Sequence, residues 1–404
     1  MTERVELLVA GAGLTGLLFA LASASAGLEV ALVEREDPEA MRAEAFDLRS
    51  SAIALGSQRV LESLGLWQEI ARDAEPILEI RVADDNAPFF LHYDHRELGD
   101  EAPLGFIVEN RILRAFFLDR ARALPNLHFL APLALAKVEF AEGAAFALLS
   151  DGRRVAAPLF AAADGRNSML REGAEIGTLE WRYPQTAIVT AVRHERPHGG
   201  VAVEHFLPAG PFAILPMTGN RSSIVWTENA ALARRLLALP EPAFAAELGA
   251  RFGDFLGAVE PIGARSSYPL SLRLSTRYVA PRLALLGEAA HVIHPIAGQG
   301  LNLGIRDVAA LSELVVDARR LGLDIGESAV LERYERARRR DALFLAAVTD
   351  ALNRLFSNTF APMKLARDLG LAAVHRVPPL KRLFMRQAMG IAGELPRLVR
   401  GERL

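Results

Sequence analysis

A strand, a glycine-rich turn, a helix and a second strand are predicted to follow one another within residues 6–34. Glu6 to Ala10 is a short apolar run, and GAGLTG follows at residues 11–16. An apolar segment then continues to about Gly27, and LEVALVER ends at Glu34. This spacing is typical of a β-α-β unit that binds a dinucleotide. The chain is therefore expected to contain an α/β domain with a parallel sheet.

Each glycine of this turn has a separate expected role. Gly11 makes the tight turn, Gly13 lets a pyrophosphate lie against the backbone, and Gly16 lets helix and strand pack closely. The helix N-terminus supplies amide donors and a positive dipole. Glu34, 18 residues after Gly16, is placed to hold a ribose hydroxyl. A carboxylate there favours an unphosphorylated ribose, as in FAD or NAD, over NADP.

Residues 7–28 carry no charge and are long enough to resemble a membrane span or a signal peptide. Four glycines interrupt the segment, and Glu3 and Glu6 precede it where a signal peptide would have basic residues. A strand, a glycine turn and a buried helix explain this composition better.

Two more glycine clusters follow apolar runs. ADGRNS occupies residues 163–168 after PLFAAA, and GEAAHVIHPIAGQGLNLG occupies residues 287–304 after a run that ends at Leu286. The carboxyl ends of parallel strands lie at one edge of a sheet, so three such junctions predict one extended crevice. That crevice is longer than a mononucleotide requires.

Composition excludes several functions. The net charge of −3 argues against a nucleic-acid binder. The chain has no cysteine, which excludes disulfides, cysteine-ligated zinc, iron–sulfur clusters and cysteine nucleophiles, and is compatible with the cytoplasm. His291 and His294 lack a third clustered ligand, so no metal site is expected and packing of both rings against the cofactor domain is preferred.

Together, GAGLTG with Glu34, ADGRNS and the 287–304 stretch resemble the single-component flavoprotein aromatic hydroxylases, which share the para-hydroxybenzoate hydroxylase fold. The resemblance covers residue 5 to about residue 360 and is more specific than any single motif. Within this group, further segments resemble the ubiquinone-biosynthesis hydroxylases: FDLRSSAIALGSQRVLESLGLW (46–67), GPFAILPM (210–217), SSIVW (222–226), HPIAGQGLNLGIRD (294–307) and TDALNRLF (349–356).

The resemblance implies a Rossmann-type FAD-binding domain, a second, mainly antiparallel β-sheet domain that binds substrate, and C-terminal helices. The expected boundaries are 1–75, 105–180 and 275–330 for the FAD domain, 76–104 and 181–274 for the substrate domain, and 331–404 for the helical region.

The resemblance also implies which residues contact FAD. Pro295 to Gly300 would run along the flavin ring, with Pro295 and Gly298 as the flavin-flanking catalytic positions and no acid/base side chain singled out. The helix that begins near Gln299 would direct its amides at the negatively charged edge of reduced flavin. The expected cofactor-binding residues are Gly11, Gly13, Leu14, Gly16, Glu34, Arg35, Arg49, Arg111, Asp164, Gly165, Gly287, Glu288, Pro295, Gly298, Gly300, Leu301 and Asn302.

One position departs from the family pattern. The family has Gly-Asp before Ala-Ala-His, and here Glu288 replaces the aspartate. We expect the longer side chain still to reach the ribityl chain. The alternative is a residue that faces solvent, with weaker FAD binding. Arg49 and Arg111 have the same two interpretations, a cofactor contact or a surface charge.

The segments between the nucleotide motifs are typical of an antiparallel sheet. Phe212, Leu215, Pro216 and Trp226 are candidates to line an apolar substrate site, and sheet core is the alternative for each. By the resemblance, NAD(P)H or a redox protein reduces FAD, O₂ adds at C4a, and the resulting hydroperoxide hydroxylates a polyprenylated phenol in ubiquinone biosynthesis. The alternatives are a flavin hydroxylase or reductase that acts on another aromatic or lipid substrate, and a non-catalytic subunit that binds a prenylphenol within a complex of quinone-biosynthesis enzymes.

The C-terminal 41 residues, from Lys364, hold nine Lys and Arg and three Asp and Glu, a net charge of +6. This asymmetry suggests an interaction tail. On a helix, Leu380, Leu383, Phe384, Ala388 and Ile391 would share an apolar side. The tail is expected to contact the inner face of the membrane peripherally, or a partner complex. The alternative is a helix docked on the protein's own body.

Overall fold

The computed structural model describes residues 2–43, 47–84, 90–99, 102–356 and 376–404. Phe46 and the predicted start of the basic tail at Lys364 lie outside these residues. In chain order, the strands are β1 (Thr2–Arg4), β2 (Leu7–Ala10), β3 (Val30–Val33), β4 (Ser50–Ala54), β5 (Glu75–Ile77), β6 (Glu79–Asp84), β7 (Phe90–Asp94), β8 (Gly105–Glu109), β9 (Leu127–Leu130), β10 (Leu135–Phe140), β11 (Ala145–Leu149), β12 (Arg154–Ala157), β13 (Leu159–Ala162), β14 (Thr178–His194), β15 (Val201–Leu207), β16 (Gly210–Met217), β17 (Arg221–Asn229), β18 (Val259–Ser275), β19 (Val279–Ala280), β20 (Leu283–Leu285) and β21 (His291–Val292).

The α-helices of the described residues are numbered in the same way. They are α1 (Leu14–Ser25), α2 (Pro38–Arg42), α3 (Leu55–Ser63), α4 (Trp67–Ile70), α5 (Asn110–Ala123), α6 (Met169–Gly173), α7 (Ala230–Leu237), α8 (Glu241–Phe252), α9 (Gln299–Arg320), α10 (Ser328–Phe356) and α11 (Pro378–Ala388). Across the described ranges, no helix is both long and apolar enough to cross a bilayer.

A six-stranded sheet forms the first layer, in the order β19-β20-β13-β2-β3-β9. The five strands from β20 to β9 run parallel, and β19 is antiparallel at the edge. Every residue of β2, β3, β13 and β20 is buried, as expected for parallel strands that are covered on both faces. The uncharged N-terminal segment is thus β2 followed by the twelve-residue helix α1.

An eight-stranded sheet forms the second layer, in the order β21-β18-β14-β17-β16-β15-β6-β7. Its pairs are antiparallel except for β15 with β6. This arrangement, with the parallel sheet, confirms the predicted fold class. The division of the chain at the predicted domain boundaries stays a prediction.

Side chains of the eight-stranded sheet alternate between two faces. The outer face packs against α7 and α8, and its core includes Ile188, Ile224 and Phe244. The inner face carries Ala202, Phe206 and Leu215, whose apolar neighbours include Ala52 of β4 and Ile296. The inner face therefore looks toward the 295–298 turn.

Two smaller sheets flank these layers. The sheet β4-β8-β5 carries Ala52 and Ile107 into the same apolar cluster as the inner face. The sheet β1-β12-β11-β10 extends the nucleotide-binding side, because β1 pairs with β12 just before the chain enters β2.

Helix α11 docks on the body of the protein, but through a side that was not predicted. Met385 and Met389 are buried in the inner-face cluster, and Lys381 is buried and ion-paired with Glu97 at 2.5 Å. Leu383 and Phe384 of the predicted apolar side are exposed, at 57% and 44%. The helix therefore docks through its methionines, and these two residues of the predicted apolar side do not take part in the docking.

Candidate functional site

The three glycine junctions lie side by side at the carboxyl ends of β2, β13 and β20. Hydrogen bonds join them directly: the amide of Ala163 donates to the carbonyl of Ala10 at 2.8 Å, and the amide of Leu286 donates to that of Ala162 at 2.9 Å. The strand order brings together three segments that are more than a hundred residues apart in sequence, as the pattern predicts.

The first junction shows why its glycines differ in function. Gly11 has a φ of +94°, and a Cβ there would lie 2.5 Å from the carbonyl oxygen of Ala163. A Cβ on Gly16 would lie 2.0 Å from the carbonyl oxygen of Gly11. No atom lies within 4 Å of a Cβ placed on Gly13. Gly13 is also the N-cap of α1 and supplies no side-chain cap, so the first amides of this helix face open space.

Glu34 directly follows β3, the second strand of the unit, and is buried. Its carboxylate accepts hydrogen bonds from the amides of Ala12 at 2.6 Å and Glu36 at 2.9 Å. It therefore fixes the glycine turn and keeps lone pairs free for a hydroxyl donor. Arg35 points into solvent and pairs with Glu36, its side chain 78% exposed.

The second junction holds a buried acceptor without a donor. The Oδ2 atom of Asp164 accepts from the amide of Leu170 at 3.3 Å, while Oδ1 is buried with no hydrogen-bond partner among the described residues. Burial raises the pKa of Asp164 above its usual value, against the hydrogen bonds it accepts. Gly165, with a φ of +83°, has open space where a Cβ would be. A ligand with a hydroxyl or amide donor would satisfy this carboxylate.

A buried arginine connects the second junction to the third. The guanidinium of Arg171 donates to the carbonyl oxygens of Ala289 at 3.1 Å and Arg166 at 3.0 Å. Sequence inspection did not single out this residue, because its partners are backbone carbonyls that leave no pattern.

Gly287 and Gly304 lie in the third junction, where other residues of the protein pack so closely that a side chain would not fit. A Cβ on Gly287 would lie 3.0 Å from Oγ1 of Thr15, and a Cβ on Gly304 would lie 2.7 Å from the same atom. Thr15 of α1 is therefore held between the 287 turn and α9. This close approach explains why both positions are glycine.

A buried ionic network anchors the third junction from behind. Asp307 accepts from the amide of Gly287 at 3.0 Å and from Nε of Arg338 at 2.8 Å, and it pairs with His291 at 2.6 Å. Arg338 also contacts Asp341 at 2.8 Å. Although burial opposes it, the charges of His291 and Arg338 hold the pKa of Asp307 below its usual value. The charged residues of this network are visible in the sequence segments IRD (305–307) and RARRRD (336–341). The sequence does not show that Asp307 pairs with Arg338.

The 295–298 turn rests on β4. Gly298 has a φ of +61°, and a Cβ there would lie 2.9 Å from the Cβ of Ala52. Asn302 donates to the carbonyls of Ala52 at 2.7 Å and Gly298 at 3.1 Å, and accepts from the amide of Ala54 at 2.9 Å. The side chain of Asn302 is thus used to anchor the turn.

Helix α9 begins immediately after this turn. Gly298 is its N-cap and provides no side-chain cap, so the first amides of a 22-residue helix remain available. A Cβ on Gly300 would meet no atom within 4 Å. Leu14, Pro295 and Leu301 are half-buried around the same opening.

Glu288 and the neighbouring cations occupy the rim of this opening. The carboxylate of Glu288 is 51% exposed and lies 3.7 Å from Nε of Arg166. Arg49 forms a two-point ion pair with Asp47, at 2.8 and 2.9 Å. Arg111 pairs with Glu109 at 2.7 Å.

Asp47 accepts hydrogen bonds from several side chains at once, and the sequence did not identify it as a site residue. Besides Arg49, it accepts from Asn110 at 3.0 Å and from the buried Arg114 at 3.0 Å. Although burial opposes it, Arg49 and Asn110 hold the pKa of Asp47 well below its usual value. The arginine at position 49 is thereby positioned and not free on the surface.

His294 is fully buried beside the turn, and neither ring nitrogen has a hydrogen-bond partner within the described part of the chain. Its ring meets that of Tyr183 edge-on at 5.2 Å, and the hydroxyl of Tyr183 donates to Asp350 at 2.7 Å. Burial lowers the pKa of His294 to about 4, with the charge of Asp350 acting in the opposite direction.

The four substrate-site candidates divide between the two faces of the eight-stranded sheet. Phe212 and Trp226 are fully buried on the outer face, where Trp226 packs against Phe244 of α8 with ring centroids 6.0 Å apart. The expectation that these two line the substrate site is wrong, since α8 covers them. Pro216 alternates onto the same side as Phe212, and Leu215 lies on the inner face.

These features together fit FAD. Two uncapped helix N-termini, a buried unpartnered carboxylate oxygen at Asp164 and open glycine surfaces at Gly13, Gly165 and Gly300 lie along one edge of the sheet. The contacts of individual residues with FAD stay predictions.

Comparisons with known proteins give the same assignment. A sequence profile described as FAD binding domain matches residues 4–348. The chain is 54% identical over 399 residues to the ubiquinone hydroxylase UbiL of Rhodospirillum rubrum, covering 98% of this chain and 92% of the relative. It is 34% identical over 392 residues to the 3-demethoxyubiquinol 3-hydroxylase of Escherichia coli, covering 96% and 99%.

Solved structures show the same fold. The p-nitrophenol 4-monooxygenase PnpA of Pseudomonas putida matches with a TM-score of 0.80 at 18% identity, covering 97% of this chain and 100% of that one. At this identity the likeness concerns the arrangement of the layers.

Proposed function

The chain belongs to the FAD-binding family of the ubiquinone hydroxylases, and from this premise we propose that it hydroxylates the aromatic ring of a polyprenylated phenol in ubiquinone biosynthesis. The resemblance inferred from its motifs is thereby confirmed. The protein is an FAD-dependent aromatic monooxygenase, which requires O₂, a reduced electron donor and an aromatic substrate.

One observation favours a prenylated substrate. The inner face of the eight-stranded sheet, opposite the 295–298 turn, is covered by apolar side chains from several strands. They belong to two apolar clusters that include Ile80, Val82, Ala191, Ala202, Phe206 and Leu215. An apolar surface built from several strands suits a hydrocarbon chain, whose burial stabilises binding by about 0.8 kcal/mol per methylene.

The residues of the chain divide the remaining work. The amides at the start of α1, with Gly13 leaving the backbone open, would bind the pyrophosphate, and Glu34 would accept from a ribose hydroxyl. The start of α9 would stabilise negative charge on the reduced ring. FAD, when bound, supplies the redox chemistry with O₂. Pro295 and Gly298 would limit how closely the substrate and water approach the ring.

The electron donor is proposed to bind only transiently. The sequence contains one complete dinucleotide fingerprint, at residues 11–16, and this is assigned to FAD. NAD(P)H would therefore use the open rim near Arg49 and Arg166, whose side chains are partly exposed. A redox protein is the alternative donor.

Helix α11 is proposed to contact an anionic lipid surface. Its exposed side presents Leu383 and Phe384 beside the exposed cations Arg382 and Arg386. Apolar side chains next to cations fit the boundary between acyl chains and anionic headgroups. The opposite side of α11 contributes Met385 to the inner-face cluster, so this contact would place the substrate cleft next to the membrane.

Deletion of the gene tests the proposed function. Quinone intermediates extracted from the deletion strain should include a polyprenylated phenol that lacks one ring hydroxyl, and the accumulating species identifies the carbon. Unchanged quinone content would favour another aromatic or lipid substrate. Restoration of quinone by a variant that cannot bind FAD would favour a non-catalytic subunit.

A further inference from the structure

A carboxyl group lies on the inner face between its two apolar clusters. Glu204 of β15 lies between Ala202 and Phe206, which point to the same side of the sheet. Ala202 belongs to the cluster that contains Ala52, and Phe206 to the cluster that contains Ile296. Because Ala52 and Ile296 both adjoin the 295–298 turn, Glu204 faces the space in front of that turn.

The immediate surroundings of Glu204 are apolar. Its neighbours in register are Val82 on β6 and Ala213 on β16. Phe206 is stacked on Phe356 with ring centroids 4.0 Å apart, which closes one side of the space. On the other side, Leu215 and Met385 pack with Ala202.

Among the described residues, no hydrogen-bonding or ionic partner stabilises the carboxyl group of Glu204. It forms no hydrogen bond or ion pair with any residue in the described ranges, although it is only partly exposed. Three other carboxylates around the site, those of Asp47, Asp164 and Asp307, each accept hydrogen bonds from the protein, and the exposed Glu288 lies 3.7 Å from Arg166. A carboxyl held in an apolar recess without a donor is costly for folding, and such groups are found mainly where a ligand supplies the missing partner.

We propose that Glu204 contacts the hydroxyl group of the substrate and accepts its proton as the ring is hydroxylated. This assignment rests on the proposed function, because it requires a phenol in front of the 295–298 turn. It supplies the acid/base residue that sequence motifs did not reveal.

The phenol O–H bond breaks, a new O–H bond forms on the Glu204 carboxylate, and the electron pair that remains on the phenol oxygen increases the electron density of the ring. One oxygen atom of O₂ is added to the ring and the other leaves as water, with two electrons from the reduced cofactor. The substituted carbon then loses its proton to solvent, and Glu204 returns its proton to the phenol oxygen.

Burial alone raises the pKa of Glu204 to about 7, which suits a general base near neutral pH. None of the surrounding charges adds to this shift. Tyr93 and Tyr268 lie on the inner face, on β7 and β18, and His294 precedes the turn. Other ionisable residues on the elements around Glu204 are Asp84 at the end of β6, Arg221 on β17, Asp350 and Arg354 on α10, and Lys381 on α11.

A single-turnover experiment tests the assignment without knowledge of the natural donor. FAD-loaded protein is reduced with dithionite, mixed with a short-chain 2-prenylphenol, and exposed to O₂, and both hydroxylated product and hydrogen peroxide are quantified from pH 5.5 to 8.5. Glu204→Gln and Glu204→Asp are compared with wild type. The control is Glu228→Gln, which alters a buried glutamate on the outer face whose carboxylate accepts from the amide of Asn229.

In wild type and Glu228→Gln, the hydroxylation rate should rise about tenfold per pH unit below about 7 and then level off. Glu204→Gln should lose this pH dependence, hydroxylate about 10²-fold more slowly and release its oxidising equivalents as hydrogen peroxide. Glu204→Asp should recover part of the rate. Hydroxylation by Glu204→Gln at the wild-type rate and with the wild-type pH profile would overturn the assignment.

A second measurement does not depend on turnover. Infrared difference spectra between pH 8 and pH 6 should show one protonated carboxyl band that is missing in Glu204→Gln and shifts when the prenylphenol binds. A band unaffected by the phenol would also overturn the assignment. If wild type hydroxylates no prenylphenol although the band shifts on binding, the proposed function fails and the phenol contact at Glu204 stands.

Discussion

The carboxylate of Asp307 lies 2.6 Å from Nε2 of His291, and both side chains are shielded from solvent. The same carboxylate holds the amide of Gly287 and the guanidinium of Arg338. One side chain of α9 thus joins the third glycine junction to α10. The position of the third glycine junction therefore depends on an interaction behind it.

We predict that Asp307→Asn destabilises the protein by about 3–5 kcal/mol, because it leaves the buried Arg338 without its charged partner. Urea unfolding measures the change. Asp317→Asn is the control, since its ion pair with Arg397 is half-exposed and should contribute no more than about 1 kcal/mol. Equal losses in the two variants would contradict a special role for the buried network.

Substitutions at two glycines of the site should change FAD affinity and protein stability independently of each other. Gly13→Ala should fold as stably as wild type, because its φ of −64° is ordinary and its Cβ meets no atom, yet it should weaken FAD binding. Gly298→Ala should destabilise the protein itself by about 1–2 kcal/mol, because of its positive φ and the contact with Ala52. Thermal unfolding with and without FAD checks both. Unchanged FAD affinity in Gly13→Ala would place the pyrophosphate elsewhere.

His294 should make the protein sensitive to acid. Its pKa is about 4 in the folded state, below the value of 6.5 for an unperturbed histidine. At a pH between 4 and 6.5, the unfolded chain therefore binds more protons than the folded protein. Stability therefore falls as pH drops through this range, by about 2 kcal/mol between pH 7 and pH 5. His294→Leu should remove that part of the loss, whereas His128→Gln, at an exposed histidine, should not. Identical pH dependence of unfolding in wild type and His294→Leu would refute this account.

The exposed side of α11 should bind anionic lipid. Leu383→Glu with Phe384→Glu should abolish sedimentation with phosphatidylglycerol vesicles at low salt without loss of stability, because both side chains are exposed. The control replaces Leu321 and Leu323, an apolar pair beyond α9 that is more exposed still, with glutamate. Truncation near residue 376 is a poorer test, since it also removes Met385 and Met389 from the core. Vesicle binding that survives the α11 substitutions would exclude this surface.

Local patterns predicted the nucleotide-binding part of the fold because each element there is specified by adjacent residues. The turn at Gly11, the helix after it and the strand that ends just before Glu34 follow one another along the chain. The convergence of the three junctions followed from the general geometry of parallel sheets.

Faces of elements were harder to predict than the elements themselves. Phe212 and Leu215 stand three residues apart in one strand and point to opposite sides, and the strand's nearly continuous apolar sequence does not show which side meets the turn. In α11, Met385 is buried and Phe384 exposed because of the shape of the cleft, which residues far away in sequence create.

Long-range polar partners were not predictable either. Arg338 is 31 residues from Asp307, and Arg171 is 118 residues from the carbonyl of Ala289 that it holds. Glu204 was overlooked because a single glutamate in a strand usually faces solvent. Only the packing of neighbouring strands shows that it faces the turn.

Hydroxylation by the purified protein under isotopically heavy O₂ shows whether it transfers oxygen to the ring of a prenylated phenol. FAD-loaded protein, a prenylated phenol and a chemical reductant should yield a product that carries one heavy oxygen atom on the ring, and omission of FAD should abolish it. A protein that binds FAD and consumes O₂ in the presence of such phenols, yet returns every phenol without added oxygen, would contradict the account.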